Sequence, residues 1–279
     1  MTGSDQTPRI GLALGAGGAR GLAHIHALRA FDDLGVKPSV ISGTSIGALI
    51  GAAYAAGMTA AEIEAYARDS LTNRVHLFTK AMTIRPSSLS GFLSDGGLRL
   101  GELNLEAILS VFLPPAVPDR FESLTIPLHI VATDYHAERP TVFTTGALKS
   151  AIAASAAIPA VFLPVQRDGR FYIDGGATNP CPIDIVSPLA KGVIGIDVTG
   201  GNTRAPATRP GKIEAAYGFN QILQETVVIW MAKAHPGAIM LRPPVQTYGV
   251  LDFLKAAEIL DSTACLRDQV KAGIGRLLA

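Results

Sequence analysis

The chain has 279 residues, 48% of them hydrophobic and 17% charged, a balance that supports one large buried core. Its net charge of +1 gives no argument for nucleic acid as a partner. Two cysteines, Cys181 and Cys265, exclude a disulfide framework and point to a reducing, cytoplasmic setting.

Met1 to Arg9 has no apolar core and does not read as a signal peptide. Arg9 to Leu14 reads as a buried strand. A glycine-rich turn follows, then a helix from about Leu22 to Leu34 stopped by Gly35. No charge occurs from Pro38 to Ala61, a run long enough to suggest a membrane span. Ser42-Gly43-Thr44-Ser45 interrupts it, so the better reading is a strand at Val40 to Ser42, a sharp turn, and a buried helix ending near Gly57. Thr59-Ala60-Ala61-Glu62 is a capping box that opens another helix.

Residues 73–101 are rich in Ser, Gly, Pro and Arg and read as irregular and mobile. A helix is expected around Leu105 to Phe112, and strands at Leu128 to Thr133 and Thr141 to Thr145. A small-residue helix follows at Ala147 to Ala157, then a short strand, Phe171 to Ile173, ending at Asp174-Gly175-Gly176. Val193 to Val198 is one more apolar strand. Residues 200–211 have linker composition. A helix from about Ile213 to Ala234, a strand at Ala238 to Leu241 and a helix from about Phe253 complete the chain. This alternation predicts an α/β fold with a mostly parallel sheet and helices on both faces. One domain spans 1–279, with the motif-bearing core at about 10–198 and an extension at about 212–279.

Gly43-Thr44-Ser45-Ile46-Gly47 lies between a β-branched strand and an Ala-rich helix, the setting required of a nucleophile elbow. Flanking glycines keep side chains away from a strained turn, and the helix N-terminus aims free N–H groups at a developing oxyanion. Only about two strands precede Ser45, which is the wrong topology for a Ser–acid–His hydrolase. His76, His129, His136 and His235 sit in no convincing motif, and His24 and His26 lie upstream of the serine.

The base is therefore sought among carboxylates. Asp174 ends a strand, and its two glycines turn the chain away without bulk. Partial burial would raise its pKa and strengthen it as a base. Asp95-Gly96-Gly97 carries the same letters but has no strand to fix it, so Asp174 is preferred.

The loop Gly15-Ala16-Gly17-Gly18-Ala19-Arg20-Gly21 lets backbone N–H groups converge on one anionic point. It fits an oxyanion hole or a phosphate site. The Gly-Lys-Ser/Thr ending of a P-loop is absent. A dinucleotide site wants an acidic residue at the end of the second strand, where this chain has Ser42-Gly43-Thr44-Ser45 instead. The oxyanion reading is favoured, with Arg20 and Gly21 supporting the loop.

These three motifs, in this order, resemble those of patatin-like phospholipases of the bacterial stand-alone kind. Leu22-Ala23-His24-Ile25, Ser155-Ala156-Ala157-Ile158-Pro159 with Phe162 and Pro164, and Asn179-Pro180 with Pro182 are similar too. The resemblance covers about Ile10 to Val198 well. It implies a three-layer αβα fold and a Ser45–Asp174 dyad. Gly15, Ala16, Gly17, Gly18 and Ala19 form the oxyanion hole, and Ala16 departs from the glycine of many relatives. The activity implied is that of a phospholipase A or lysophospholipase, working on lipid acyl esters through an acyl-serine with neither metal nor cofactor. An acyltransferase or thioesterase would use the same residues. A non-catalytic lipid-binding protein would keep the fold. Residues 73–101 and the C-terminal helices are the candidates for peripheral membrane contact, and neither carries a dense basic cluster.

Overall fold

The computed structural model of the chain describes residues 10–72, 105, 109, 113–159, 161–200, 209 and 211–279. The expected irregular stretch at 73–101, Asp95, His76 and most of the 200–211 linker lie outside the described residues.

The strands are β1 (Ile10–Leu14), β2 (Val40–Thr44), β3 (Leu128–Asp134) and β4 (Arg139–Phe143). They continue with β5 (Val165–Arg167), β6 (Arg170–Asp174), β7 (Gly192–Ile196) and β8 (Ile239–Leu241). They form one sheet in the order β5-β6-β3-β2-β1-β7-β8, with β4 also paired to β3. The pairs β1–β2, β1–β7, β2–β3 and β7–β8 are parallel, whereas β4, β5 and β6 join through antiparallel pairs. Central parallel strands are covered on both faces, which is why β1 and β2 are buried at every residue.

The α-helices are α1 (His24–Leu34), α2 (Ile46–Ala55), α3 (Ala60–Thr72) and α4 (Leu148–Ser155). After them come α5 (Ile183–Val186), α6 (Lys212–Ala234), α7 (Ala256–Ser262) and α8 (Leu266–Leu278). Alternation along β1 divides the core. Ile10, Leu12 and Leu14 join the larger cluster with α1, α2, α4, α7 and α8, while Ala13 faces Ile183, Val186 and Val228 on the other side. Helices therefore cover both faces, giving the expected three-layer α/β fold.

Boundaries differ from expectation in a few places. A 3-10 turn, Gly18–Ala23, precedes α1, because the glycine-rich loop enters the helix gradually. Strand β4 begins two residues earlier than expected, at Arg139, where the antiparallel register pairs it with Asp134. The three-residue β5 has no readable period and was not anticipated. The C-terminal helix is broken into a 3-10 turn at Phe253–Lys255 followed by α7 and α8. Thr59 and Glu62 form the capping box, with the Thr59 N–H donating to Glu62 Oε2 at 2.8 Å and the Glu62 N–H to Thr59 Oγ1 at 3.2 Å. The uncharged run from Pro38 is β2, its turn and α2, and no helix among the described residues is long and apolar enough to cross a membrane.

Candidate active site

Ser45 joins β2 to α2 with φ 58° and ψ −121°, a conformation an L-residue adopts only when its surroundings enforce it. The enforcement is visible on both sides. The Ser45 N–H donates to Ser155 Oγ at 2.8 Å, and Ser155 Oγ–H donates to the Val131 carbonyl at 2.5 Å. Thr44 Oγ1 donates to the Asn179 carbonyl at 2.9 Å. Gly47 is packed against β1 so closely that a Cβ there would lie 2.1 Å from the Leu14 carbonyl oxygen. Gly43 lies under the first turn of α2, against Ala48, and Gly21 lies against Ile46.

Asp174 reaches the same place from the opposite direction. Strand β6 runs antiparallel to β3, with Asp174 level with Ala132; one residue back, Val131 is level with Thr44 of β2. Asp174 is the last residue of β6, as expected, and β6 belongs to the antiparallel side of the sheet. Register nonetheless brings its last residue beside the elbow. The Ser45 side chain is close enough to the Asp174 carboxyl to favour its charged form, and Oδ1 accepts the Gly176 N–H at 2.7 Å. Gly175 and Gly176 turn the chain into a 3-10 turn, Gly175–Ala177, away from the site. Burial lifts the Asp174 pKa to about 6, against the opposing pull of the Ser45 and Gly176 hydrogen bonds. Ser45 is 4% exposed and Asp174 7%, so what protonation either undergoes takes place out of bulk water.

Among the described residues no histidine hydrogen-bonds to Ser45 or Asp174. His26 is tied to the Leu260 carbonyl and His235 to the Met231 carbonyl. His24 supports the glycine-rich loop instead. Burial pushes its pKa down to about 4, so the ring is neutral near neutral pH, and Nε2–H donates to the Gly15 carbonyl at 2.8 Å.

The loop is narrower in donors than its sequence suggested. The Gly15 N–H donates to the Ile196 carbonyl at 3.0 Å, Ala16 to Pro180 at 2.7 Å and Ala19 to Val250 at 2.8 Å. Those three N–H groups are committed to the fold, which corrects their assignment to an oxyanion hole. The Gly17 and Gly18 N–H groups have no such partner among the described residues. Gly18 has φ 57°, and a Cβ there would lie 2.1 Å from the Val250 carbonyl oxygen.

Arg20 is buried and donates through Nη1 to the Thr199 carbonyl, so its side chain ties the loop to the segment after β7. Beneath it, buried Asp197 accepts from the Thr199 N–H at 2.9 Å and from Arg242 Nε at 2.7 Å. Arg242 also reaches Glu225 on α6 at 3.0 Å. Sequence reasoning missed Asp197, Arg242 and the role of Ser155.

Ser45 and Gly18 open on a cavity of about 300 Å³ with almost wholly apolar walls. The Patatin-like phospholipase family model matches residues 12–187, which include the glycine-rich loop, the serine elbow and the Asp-Gly-Gly turn. The chain belongs to the patatin-like phospholipase family. An uncharacterized NTE family protein of Mycobacterium tuberculosis is 35% identical over 235 residues, covering 82% of this chain and 60% of that protein. Patatin-like phospholipase domain-containing protein 6 of Homo sapiens is 28% identical over 280 residues, covering 90% of this chain but 19% of its own length. The chain thus spans 60% of the length of the mycobacterial relative and 19% of the human one. The crystal structure of VipD from Legionella pneumophila shares the fold, with a TM-score of 0.52 at 12% identity, over 96% of this chain and 67% of that one.

Proposed function

We propose that the chain is a serine hydrolase of lipid acyl esters in which Ser45 is the nucleophile and Asp174 the proton acceptor. The observation that carries this reading is the pairing of a backbone-strained serine, which lines an apolar cavity, with a buried carboxyl of raised pKa. Family membership supports the lipid ester as substrate class.

In this mechanism Ser45 Oγ attacks the ester carbonyl carbon as its proton passes to Asp174. The carbonyl oxygen gains the negative charge and is stabilised by the Gly17 and Gly18 N–H groups, with the N-terminus of α2 adding its positive dipole end. The C–O bond to the leaving alcohol breaks, and the alcohol takes the proton from Asp174. Water then attacks the acyl-Ser45 ester, giving its proton to Asp174, and the carboxylic acid leaves as Ser45 recovers its proton. The raised pKa of Asp174 brings it closer to the working pH, so it accepts a proton more readily than an ordinary aspartate.

Ester hydrolysis by wild-type protein and Ser45→Ala tests the reading. Loss of turnover in a folded Ser45→Ala variant is the expected result. Equal turnover in the two proteins would remove Ser45 from the chemistry.

A further inference from the structure

The cavity at Ser45 is walled by two helical faces. On α2 it is lined by Ile46, Leu49, Ile50 and Ala53, the i, i+3, i+4 and i+7 positions of one helical face. Ile63, Tyr66, Ala67 and Ser70 repeat the same spacing along α3. The connection between these helices is short; Ala53 near the end of α2 and Ile63 near the start of α3 both line the cavity, as does Ser45 just before α2. Ala53 lies eight residues beyond Ser45, a run of about 12 Å.

The junction of α2 and α3 is braced. The Asp32 carboxylate accepts from Tyr54 Oη at 2.8 Å, from the Ala60 N–H at 2.7 Å and from Lys37 Nζ at 2.9 Å. One side chain thereby holds the end of α2 and the start of α3 together. These hydrogen bonds to Asp32 lower its pKa against the effect of burial, so the brace stays charged near neutral pH.

We propose that the cavity measures acyl chains, seating one chain of about eight to twelve carbons with Ala53 and Ile63 as the stop. The cavity volume and the helical rise between two of its lining residues both fit that length. An apolar cavity of about 150 Å³ admits one benzene ring, so twice that volume admits roughly a dozen carbons. The run from Ser45 to Ala53 also matches an extended chain of about ten carbons. The ester carbonyl lies at Ser45 and the terminal methyl meets the fixed helix–turn–helix end. The ruler rests on the hydrolase reading of Ser45 and specifies its substrate.

The test is kcat/KM for p-nitrophenyl esters with acyl chains from about four to about sixteen carbons, measured below micelle formation on wild type, Ser45→Ala, Ala53→Leu and Ile63→Ala. Wild type should peak between about eight and twelve carbons, with a fall of about tenfold or more once the chain outruns the cavity. Ala53→Leu should move the peak to shorter chains and Ile63→Ala to longer ones. These opposite shifts cannot come from a general loss of fold, and circular dichroism of each variant checks that it is folded. Ser45-dependent hydrolysis with no chain preference, or a peak that stays in place in both folded variants, overturns the ruler and leaves the hydrolase reading standing. Absence of Ser45-dependent hydrolysis at every length overturns the hydrolase reading and the ruler with it.

Discussion

The Ser45 N–H donates to Ser155 Oγ at 2.8 Å, which couples the strained turn after β2 to the last residue of α4. Ser155 passes the hydrogen bond on to the Val131 carbonyl of β3. Three elements therefore hold one backbone amide, and with it the direction of the Ser45 side chain.

Replacing that acceptor should loosen the elbow. Ser155→Ala leaves a buried N–H without a partner, a loss of about 1–3 kcal/mol in stability. A relaxed elbow displaces Oγ from Asp174, so kcat/KM should fall by about tenfold or more. Chemical denaturation and ester kinetics on the same preparation measure both quantities. If neither changes, Ser155 plays no part in positioning Ser45.

In the proposed mechanism, proton acceptance by Asp174 requires its ionised form. Its pKa is raised to about 6, so log(kcat/KM) should climb with unit slope at acid pH and level off above a midpoint near 6. A midpoint close to 4, the range of an ordinary aspartate, would show that burial does not set the base. Asp174→Asn should lose the limb altogether along with nearly all turnover.

The same residue should cost stability. A carboxyl whose folded pKa lies above its unfolded value binds its proton more tightly when folded, so it favours folding at low pH and opposes it once pH rises through both values. Between the ordinary carboxylate value and about 6 the effect is worth about 3 kcal/mol. Asp174→Asn should therefore be more stable than wild type at pH near 8 by a few kcal/mol, and the gap should close as pH falls to about 4. Paired urea titrations at the two pH values test this, and a gap that ignores pH would contradict the raised pKa.

The glycine-rich loop separates two kinds of amide. Ala16 already donates its N–H to Pro180, and Gly18 keeps its N–H free. Ala16→Gly should leave kcat within about twofold, since it touches no oxyanion donor. Gly18→Ala should lower kcat by about a hundredfold, because φ 57° and the Val250 carbonyl force the backbone to shift and carry the free N–H with it. Comparable losses in both variants would place the oxyanion elsewhere on the loop.

Much of this site was legible because its motifs are local. The elbow announces itself as a β-branched strand, two glycines around a serine and an Ala-rich helix, all within contiguous residues. Asp174 was readable for the same reason, a strand running into Gly175 and Gly176. What escaped depends on partners remote in the chain. The Gly15 and Ala16 amides look free in sequence and are taken by Ile196 and Pro180, about 180 and 160 residues later in the chain. Arg20 finds Thr199, and Asp197 finds Arg242, through strand pairings that no local pattern encodes. The antiparallel direction of β6 was hidden too, because a five-residue strand carries no sign of which way it pairs.

The proton relay between Ser45 and Asp174 is tested most directly by the rate at which a fluorophosphonate modifies Ser45 as pH is varied, followed by mass spectrometry of the labelled peptide. The account predicts that the wild-type rate rises with pH through a midpoint near 6. In folded Asp174→Asn the rate should be about a hundredfold slower or less and flat across the same range. Labelling of Ser45 in Asp174→Asn at the wild-type rate, or a wild-type rate independent of pH, would contradict it.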